Sequence, residues 1–469
     1  MKLSELLHDT GIKFETTTDT MEDDPVISGI SCDSRSIRPG DLFLALSGTK
    51  DHGRNHMTEA IRQGAAAAIA EKEDGSPLKL EDASALARKY YLRPDRRLKV
   101  IGVTGTNGKT TTTWLIRQCL ADLGVGCGLI GTVAYDTGGE RMEASRTTPQ
   151  PDQLWRLLHE MTEHGLEVCA MEVSSHGLAL GRVSGLEFSY GIFTNLTEDH
   201  LDYHGTMEAY YQAKKTLFSQ VDRRSFIHVK ESWGQRLYEE LKREGHPVQG
   251  LSLMEGPVLN MALPGTYNQE NGIMAWAVCS EIAKEKGLDH PEERVAKALE
   301  RIKAVPGRFE ALPNALGWNV FVDYAHTPDA LERLLHTAKP LVREGGKLIC
   351  VFGCGGDRER EKRAKMGEIS GRLADLTIVT SDNPRSERPE DIASEIEAGI
   401  RRTKGQYEIL LDRKKAMEKA LVLCNNKNVV IIAGKGHETT QIIGNTTYPF
   451  DDRIVAGDIL RRIEKGDLK

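Results

Sequence analysis

Ile101-Gly-Val-Thr-Gly-Thr-Asn-Gly-Lys-Thr110 follows a short apolar run that begins at Leu98, and it leads into a threonine-rich segment that is compatible with a helix. A strand, a glycine-rich turn and a helix N-terminus in this order direct backbone N–H groups towards a polyphosphate. Lys109 can then reach the β- and γ-phosphates, and the Thr110 hydroxyl can bind Mg²⁺. The spacing differs from the standard P-loop, because five residues separate the first glycine from the glycine before the lysine. The stretch still predicts a site for ATP or GTP.

Apolar runs alternate with helical patterns on both sides of this stretch, which predicts parallel sheets covered by helices. We expect three α/β domains: an N-terminal α/β domain (1–97), a central P-loop ATPase-like parallel sheet (98–309) and a C-terminal Rossmann-like, doubly wound domain (310–469). Residues 94–97 are a predicted linker and residues 304–310 a predicted hinge. The predicted strands are 42–46, 66–70, 98–103, 128–133, 168–173, 190–194, 320–323, 348–353, 376–380 and 429–433.

The composition is that of an ordinary globular protein, with 469 residues, 39% apolar and 28% charged. The net charge of −7 argues against nucleic acid or an anionic membrane as a partner. We find no signal peptide and no run of membrane-spanning length, so we expect a cytoplasmic protein. The eight cysteines are scattered, and only Cys350 and Cys354 are close, without the spacing of a zinc site. We expect reduced thiols.

Polar clusters directly follow the predicted strands, at the ends where parallel sheets bind ligands. One such cluster is more often an ordinary solvated loop, but six at six strand ends favour a functional role. The clusters are residues 104–109, 174–177, 195–200, 354–358, 381–385 and 434–438.

Two of these clusters offer candidate metal ligands. Glu172 could complete a Mg²⁺ shell with Thr110, since Mg²⁺ prefers oxygen ligands and keeps waters and phosphates as the remainder. The alternative is a helix-capping Ser174 beside a surface glutamate. His200 lies in a stretch dense in acids and histidines, which is consistent with a second metal, but spacing alone does not rank it above His204.

Lys214 interrupts the apolar face of a helix predicted over residues 206–221, a face that contains Tyr210, Leu217, Phe218 and Val221. Most lysines in such a position extend to solvent. A buried lysine instead has a depressed pKa and a nucleophilic amine, and it could react with CO₂ to give a carbamate that binds Mg²⁺.

The last predicted domain carries arginines at its strand ends. Arg358 and Arg385 could each engage a carboxylate in a planar two-point contact, and Glu438 could bind an ammonium group. Together they would suit a zwitterionic substrate. The alternative is a pair of surface arginines in salt bridges.

Taken together, these strings resemble the Mur ligase family, ATP-dependent amide-forming enzymes of peptidoglycan assembly, over nearly the whole chain. Central-domain strings that match are Thr-Gly-Thr-Asn-Gly-Lys-Thr (104–110), Glu-Val-Ser-Ser-His (172–176), Asn-Leu-Thr-Glu-Asp-His-Leu-Asp-Tyr-His-Gly (195–205) and Gly-Thr-Tyr-Asn-Gln-Glu-Asn (265–271). Gly-Arg (307–308) and Asp-Tyr-Ala-His-Thr-Pro (323–328) resemble the family's hinge and the start of its last domain. One departure is Ile-His-Val-Lys-Glu (227–231), which replaces an Asn-x-Asp-Asp-like turn, in a segment between Phe226 and Leu263 that is shorter than expected.

The resemblance implies roles for individual residues. It implies ATP binding by Gly105, Thr106, Asn107, Gly108, Lys109, Thr110, Thr111, Asn268, Asn271, Arg308 and Asp323. It implies binding of a UDP-muramoyl-dipeptide by a uridine-binding N-terminal domain with Ser34, and by Thr147, Thr148, Ser174 and Arg182. It implies an amino-acid site at Arg358, Asp382, Asn383, Pro384, Arg385, Gly434 and Glu438. It implies Mg²⁺ at Thr110, Glu172, His200 and a carbamylated Lys214, with Lys109 also catalytic.

The form Asp-Asn-Pro-Arg (382–385) is associated with family members that add meso-2,6-diaminopimelate. Arg385 would pair with the distal carboxylate, which lysine lacks, and lysine-adding relatives carry another residue there. We therefore expect an ATP- and Mg²⁺-dependent ligase that acts on small molecules as a monomer. The alternatives are a paralogue that adds L-lysine or a similar amino acid, a folylpolyglutamate synthetase-like ligase, and a non-catalytic nucleotide switch.

Overall fold

A computed structural model describes residues 1–12, 24–47, 52–254 and 256–468. Three separate sheets with mainly parallel strands lie in succession along the chain, each packed against helices. The expected α/β class is therefore confirmed. The predicted boundaries at 97/98 and 309/310 stay predictions, although the strands of each sheet fall within one predicted segment.

The first sheet is small and parallel, with strand order β1-β2-β3. Its apolar side chains, such as Leu42 and Leu44, pack against helix residues Leu6 and Leu86 in a core that is continuous with the central domain. Its elements are α1 (Leu3–Leu7), β1 (Gly29–Ser31), β2 (Asp41–Leu44), α2 (Met57–Arg62), β3 (Ala67–Ile69) and α3 (Leu80–Tyr90).

The central sheet has eight strands in the order β11-β10-β9-β4-β8-β5-β6-β7. Its strands are β4 (Lys99–Thr104), β5 (Cys127–Ile130), β6 (Ala134–Asp136), β7 (Met142–Glu143), β8 (Val168–Glu172), β9 (Phe188–Phe193), β10 (Val221–His228) and β11 (Val248–Leu251). Its helices are α4 (Lys109–Asp122), α5 (Pro151–Glu163), α6 (Ser175–Ala179), α7 (Leu201–His204), α8 (Met207–Lys215), α9 (Ser232–Arg243), α10 (Thr266–Glu285) and α11 (Pro291–Glu300). The P-loop strand β4 is central, between β9 and β8, so the ends of β8 and β9 flank the loop.

The last sheet has six strands in the order β12-β13-β17-β14-β15-β16, and a separate hairpin pairs β18 with β19. Its strands are β12 (Glu310–Ala311), β13 (Asn319–Asp323), β14 (Leu348–Phe352), β15 (Leu376–Val379), β16 (Tyr407–Ile409), β17 (Val429–Ala433), β18 (Thr440–Ile443) and β19 (Thr446–Pro449). Its helices are α12 (Pro328–Ala338), α13 (Glu361–Leu373), α14 (Pro389–Ile400), α15 (Arg413–Val422) and α16 (Asp452–Glu464).

Three local predictions are wrong. The helix predicted over 206–221 ends at Lys215, because Val221 begins β10 and pairs with Phe188 of β9. The strand predicted over 128–133 ends at Ile130, where a turn leads into an antiparallel strand, β6. The sheets are also not purely parallel, because β6, β7 and β12 are antiparallel at or near a sheet edge.

The predicted linker at 94–97 contains a buried 3₁₀ turn (Pro94–Arg96). Asp95 pairs with Arg93, and Arg93 also pairs with Glu187 of the central domain. The segment is thus fixed against the central domain. No helix among the described residues is long and apolar enough to cross a membrane.

A buried ion pair joins α15 to α16 in the last domain. Asp452 accepts two hydrogen bonds from the Arg413 guanidinium, at 2.8 and 2.6 Å, and neither side chain is exposed. We predict that Asp452→Asn lowers the free energy of unfolding of this domain by about 3–5 kcal/mol, because a buried cation loses its partner. Urea unfolding followed by circular dichroism measures the change.

The matched control is Glu418→Gln, which breaks the partly exposed pair between the same two helices, Arg462–Glu418 at 2.9 Å. This variant should change the free energy of unfolding by about 1 kcal/mol or less. Equal effects of the two substitutions would contradict the prediction.

Candidate active site

The loop between β4 and α4 has the backbone geometry of a phosphate cradle. Gly105 and Gly108 have φ angles of 148° and 89°, in a region that favours glycine, and Gly108 is the residue from which α4 starts. Lys109 Nζ donates to the carbonyls of Gly105 (2.9 Å) and Thr106 (2.8 Å). The Lys109 ammonium therefore lies against its own loop, where burial lowers its pKa.

Thr110 joins the P-loop to the end of β8 and to the predicted hinge (304–310). Its hydroxyl donates to Glu172 Oε2 at 3.0 Å and accepts from Arg308 Nη2 at 2.9 Å. Glu172 is 1% exposed, so the alternative of a surface glutamate is wrong. Ser174 does cap α6, by accepting from the Gly177 N–H at 3.0 Å. The capping and a buried carboxylate facing the P-loop thus coexist.

Lys214 is buried, with 1% of its surface exposed, so the alternative that it extends to solvent is wrong. Its Nζ donates to the Gly105 carbonyl at 2.8 Å and lies 4.5 Å from the centre of the Tyr210 ring. Burial, together with the nearby Lys109, holds the Lys214 pKa well below its usual range. A buried lysine amine whose charged form is disfavoured therefore lies directly beneath the phosphate loop.

The histidines of the 195–205 string have different surroundings. His200 has a left-handed backbone (φ 55°), and its Nε2 lies 3.4 Å from Asp199 Oδ2. Burial lowers the His200 pKa to about 4, although Asp199 opposes the shift. His204 Nε2 is hydrogen-bonded to Ser175 Oγ at 3.0 Å. His200 lines a cavity that the central domain shares with the last domain, and His204 does not. This difference distinguishes the two candidate histidines.

The candidate metal ligands do not form a ready-made metal cage. Among the residues that the structure describes, no group of three or more His, Cys, Asp or Glu side chains could hold a metal ion. The adjacent oxygens of Thr110 and Glu172 do fit Mg²⁺, which commonly takes one or two protein oxygens and completes its shell with water and phosphate. Lys214 supplies no oxygen unless it is carbamylated.

A cavity between the central and last domains contains most of the predicted nucleotide residues. Asn107, Gly108, Thr110, Thr111, Asn271, Arg308 and Asp323 line it. Gly105, Thr106 and Lys109 belong to the loop but are not among its lining residues. The Asn268 side chain does not line it either, because its Nδ2 donates back to the Pro264 carbonyl at 2.7 Å. Asp323 accepts from the N–H groups of Phe309 (2.6 Å) and Ala325 (2.7 Å).

Several residues that line this cavity were not predicted: His228, Tyr267, Glu270, Tyr324, His326 and Arg333. Tyr267, Glu270, Tyr324 and His326 lie within quoted motif strings, so a reading of the whole strings could have found them. Arg333 lies one helical turn after Asp329 and pairs with Glu231 of the central domain at 2.9 Å. Asn107 Nδ2 donates to Asp329 Oδ2 at 2.9 Å, so the P-loop itself contacts the last domain.

A second cavity, of about 450 Å³, contains the predicted amino-acid residues and lies against the central domain. Arg358, Asp382, Asn383, Arg385, Gly434 and Glu438 line it, together with His176, Asp199 and His200 of the central domain. Pro384 is in the same loop but is not a lining residue. The structure thus brings the predicted zwitterion-binding groups and His200 together in one cavity.

Neither Arg358 nor Arg385 in this cavity is paired with a carboxylate of a described residue. Arg358 is exposed and Arg385 is half-buried, and neither forms an ion pair with a described residue, so the structure does not support the alternative of arginines held in salt bridges. Arg385 Nη1 donates to the Gly356 carbonyl at 2.8 Å. Buried Lys435, which was not predicted, donates to Glu438 Oε2 at 2.9 Å, and Asn383 Nδ2 donates to the same oxygen.

The residues predicted to bind the muramoyl-dipeptide fall in two places. Ser34 lines a cleft of about 950 Å³ between the N-terminal and central domains, with the unpredicted Arg35, Arg38, Arg146 and Arg156. Thr147, Thr148, Ser174 and Arg182 instead form a group beside Glu172. Thr148 Oγ1 donates to the Glu172 carbonyl at 3.0 Å, and Arg182 Nη1 donates to the Thr148 carbonyl at 3.1 Å. Since Arg146 precedes Thr147, one segment connects the two places.

Comparison with known proteins decides the family. Three family models match: Mur ligase family, catalytic domain (26–97), Mur ligase middle domain (103–258), and Mur ligase, glutamate ligase domain (307–436). The chain belongs to the Mur ligase family. Like other Mur ligases it is an ATP-dependent, amide-forming enzyme, so the alternative of a non-catalytic nucleotide switch is not supported.

This Mur ligase is similar to proteins named UDP-N-acetylmuramoyl-L-alanyl-D-glutamate–2,6-diaminopimelate ligase. The one from Alkaliphilus oremlandii is 40% identical, with 98% of this chain and 99% of the relative covered. The one from Clostridium tetani is 38% identical, with 99% and 100% covered. A solved structure with the same name is 28% identical, has a TM-score of 0.63, and covers 99% of both chains.

Gly108 tests whether the loop forms a nucleotide site. A Cβ there would overlap the Asn271 side chain, and the φ of 89° would also be strained. We predict that Gly108→Ala weakens ADP binding by roughly tenfold or more, because the loop N–H groups must move. Isothermal titration calorimetry with ADP measures the dissociation constant.

Gly124→Ala is the matched control, because Gly124 follows the other end of α4 with a similar φ of 78° but no atom within 4 Å of an added Cβ. Both variants should lose about 1 kcal/mol of stability from backbone strain. Only Gly108→Ala should lose ADP affinity, and a similar loss in both variants would contradict a role for the loop.

Proposed function

We propose that this Mur ligase joins meso-2,6-diaminopimelate to UDP-N-acetylmuramoyl-L-alanyl-D-glutamate at the expense of ATP. The observation that carries the proposal is the cavity with Arg358 and Arg385, two guanidinium groups without carboxylate partners among the described residues, which opens towards His200. An amino acid with two carboxylates would satisfy both arginines. The names of the relatives agree with this acceptor.

Carboxylate activation is the chemical step that the central domain would assist. The terminal carboxylate of the dipeptide attacks the γ-phosphate of ATP, which gives an acyl phosphate and ADP. The diaminopimelate amine then attacks the carbonyl carbon, and phosphate leaves. Two anions must meet in the first step, so the groups that offset negative charge determine its rate.

Lys109 would leave its loop carbonyls to contact the β- and γ-phosphates, and Arg308 lies beside Thr110, where it can also neutralise them. Thr110, Glu172, His200 and a carbamylated Lys214 would hold Mg²⁺, which supplies Lewis-acid stabilisation of the phosphoryl oxygens. The burial of Lys214 supports the carbamate, because burial disfavours the charged amine and only an unprotonated amine reacts with CO₂.

The donor substrate would extend from the N-terminal cleft to Glu172. Ser34 and the arginines of the cleft suit a nucleoside diphosphate, since guanidinium groups pair with phosphates. Thr147, Thr148, Ser174 and Arg182 would hold the dipeptide beside the P-loop. We further propose that Asn383, Asp382 and Glu438 bind the ammonium groups of the acceptor, that Gly434 lies against it, and that Pro384 shapes the loop.

Two alternative ligases remain, which differ from the proposed one in their substrates. A lysine-adding paralogue would leave Arg385 without a carboxylate partner, which penalises lysine. A folylpolyglutamate synthetase-like ligase would have no use for the arginine-lined N-terminal cleft. ADP release measured with the UDP-muramoyl-dipeptide and with folate separates the proposed ligase from a folylpolyglutamate synthetase-like ligase. We also propose that the protein acts in the cytoplasm, on small molecules, as a monomer.

The carbamate is tested with Lys214→Ala. We predict that this variant loses roughly 10²-fold or more in kcat, because an anionic ligand of Mg²⁺ is removed, and that short carboxylic acids such as acetate partly restore activity. Coupled measurement of ADP release gives the rate. Unchanged activity of Lys214→Ala would remove the carbamate from the mechanism.

Lys215→Ala is the matched control for Lys214. The Lys215 side chain points away from the loop and pairs with Glu240 of α9 (2.9 Å) and with Glu244, the residue after α9 (2.6 Å). Its removal should leave kcat nearly unchanged, and acetate should have no effect on this variant.

The acceptor is tested with a panel of meso-diaminopimelate, L-lysine and L-ornithine. The wild-type enzyme should prefer meso-diaminopimelate. Arg385→Ala should lower kcat/KM for this acceptor by roughly 10²-fold and should not lower the value for L-lysine, because L-lysine has no distal carboxylate and leaves Arg385 unpaired. Arg388→Ala, an exposed arginine three residues away, should behave as the wild type. Preference of the wild type for L-lysine would overturn the proposed acceptor.

A further inference from the structure

Two neighbouring loops supply the two arginines of the second cavity, which we call the acceptor cavity. The loop after β14 (354–358) carries Arg358, and the loop after β15 (381–387) carries Arg385. Arg385 Nη1 reaches across to the first loop, where it donates to the Gly356 carbonyl at 2.8 Å. The spacing of the two guanidinium groups therefore depends on how the two loops are held relative to each other.

Arg363, in the first turn of α13, joins the two loops from outside the cavity. Its side chain is fully buried and is not among the residues that line the cavity. Nη2 donates to the Gly355 carbonyl of the first loop at 3.1 Å and to Glu387 Oε1 of the second loop at 2.8 Å. Nη1 donates to Glu387 Oε2 at 2.8 Å. One guanidinium thus binds the backbone of one loop and makes a planar two-point contact with a carboxylate of the other.

Glu387 continues the connection back to the first loop. Its Oε1 also accepts from the Asp357 N–H at 2.6 Å, and the Asp357 carboxylate accepts from the Ser386 hydroxyl at 2.5 Å. Hydrogen bonds from Arg363 lower the pKa of Glu387 to about 2, so this carboxylate is charged at neutral pH. Asp357 has a left-handed backbone (φ 53°) directly before Arg358. The bond to Glu387 holds Asp357 in this conformation and so fixes where Arg358 begins.

A purely structural role for Arg363 would be to pack α13 against α14. Arg363 does contribute there, because its Nη1 also donates to Glu395 Oε2 of α14 at 3.0 Å. Arg360, the N-cap residue of α13, pairs with the same carboxylate and has 67% of its side chain exposed. Among the described ion pairs, Arg360 pairs with Glu395 only, whereas Arg363 also pairs with Glu387. These two arginines therefore separate helix packing from loop attachment.

We propose that Arg363 is a positioning residue for the acceptor, because it fixes the two loops to each other and so sets the spacing of Arg358 and Arg385. The inference rests on the proposed function, in that the acceptor binds between these two arginines. An acceptor with two carboxylates needs both guanidinium groups at the correct spacing, whereas an acceptor with one carboxylate needs only one of them. Arg363 thus contributes to the choice of acceptor without touching it.

The test compares the Michaelis constants of the three substrates, measured by ADP release in the full ligation reaction. Arg363→Met keeps much of the side-chain volume but removes the hydrogen bonds to both loops. We expect KM for meso-diaminopimelate to rise by roughly tenfold or more, because small misplacements are costly at a two-point contact. KM for ATP, KM for the UDP-muramoyl-dipeptide and kcat should stay close to the wild-type values. A general loss of structure would lower kcat and would not act on one substrate alone.

The choice between acceptors gives a second measurement. The ratio of kcat/KM for meso-diaminopimelate to kcat/KM for L-lysine should fall roughly tenfold in Arg363→Met, since L-lysine does not need both guanidinium groups. Arg363→Lys should keep part of this ratio, because an ammonium group can still pair with Glu387 but cannot make the planar contact.

Glu387→Gln tests the other partner and does not depend on the folding of a variant at a buried arginine. It should shift KM for meso-diaminopimelate in the same direction. The double variant should be no worse than Arg363→Met alone, because both substitutions break the same contact. Arg360→Met is the matched control, since it breaks a pair with Glu395 only, and it should behave as the wild type in both measurements. Thermal unfolding of each variant confirms that it is folded.

An unchanged KM for meso-diaminopimelate in Arg363→Met would overturn the inference, and Glu387→Gln decides in its place if Arg363→Met does not fold. Equal losses of kcat/KM for meso-diaminopimelate and L-lysine would also overturn it, because they indicate a general structural role. Both results leave wild-type ligation of meso-diaminopimelate, and with it the proposed function, intact. A wild-type enzyme that prefers L-lysine would overturn the proposed acceptor and this inference together.

Discussion

Two lysine side chains share one backbone oxygen at the centre of this protein. The Gly105 carbonyl accepts from Lys109 Nζ at 2.9 Å and from Lys214 Nζ at 2.8 Å. Two ammonium groups so close repel each other, and burial adds to the repulsion by disfavouring both charges. The repulsion between the two lysines decreases when one amine is neutral and the other contacts an anion. Burial is the larger cause of the depressed pKa of Lys214, and the charge of Lys109 adds to it.

The strand order explains why these groups meet. β4 lies between β8 and β9, so the residues after all three strands converge at one edge of the sheet. The predicted hinge adds Arg308 to this edge. The last domain contacts the edge through Asp329 with Asn107, and through Lys365 with Glu198 at 2.6 Å. These contacts bring the amino-acid cavity beside His200. The geometry of the site therefore depends on domain packing as much as on the P-loop.

Much of this could be predicted from the sequence, and the limits have physical reasons. Long apolar runs gave the core strands, because a strand buried on both faces needs such a run. Helical spacing placed Lys214 on an apolar face but left its burial open, and the helix itself ends six residues earlier than predicted, because Val221 begins β10 and pairs with β9. Short edge strands such as β7 and β12 have no apolar run to reveal them.

Side-chain direction was harder to predict than position. Asn268 lies in a recognisable string, yet its amide turns back to Pro264. Lys435 lies in the cluster after β17, and nothing in its spacing indicates that its charge is held by Glu438. Such features follow from tertiary contacts alone.

The hairpin of β18 and β19 has a consequence for how acceptor choice can change over time. Arg385 has a left-handed backbone (φ 51°), and this conformation is fixed by hydrogen bonds of its N–H to the Ile442 carbonyl and of the Gly444 N–H to its own carbonyl. The direction of the guanidinium is thus fixed by a hairpin that is distant in sequence. The outer face of this hairpin, with Ile443 and Tyr448, is open to solvent. Substitutions in that hairpin can redirect the arginine while every residue that lines the pocket stays the same.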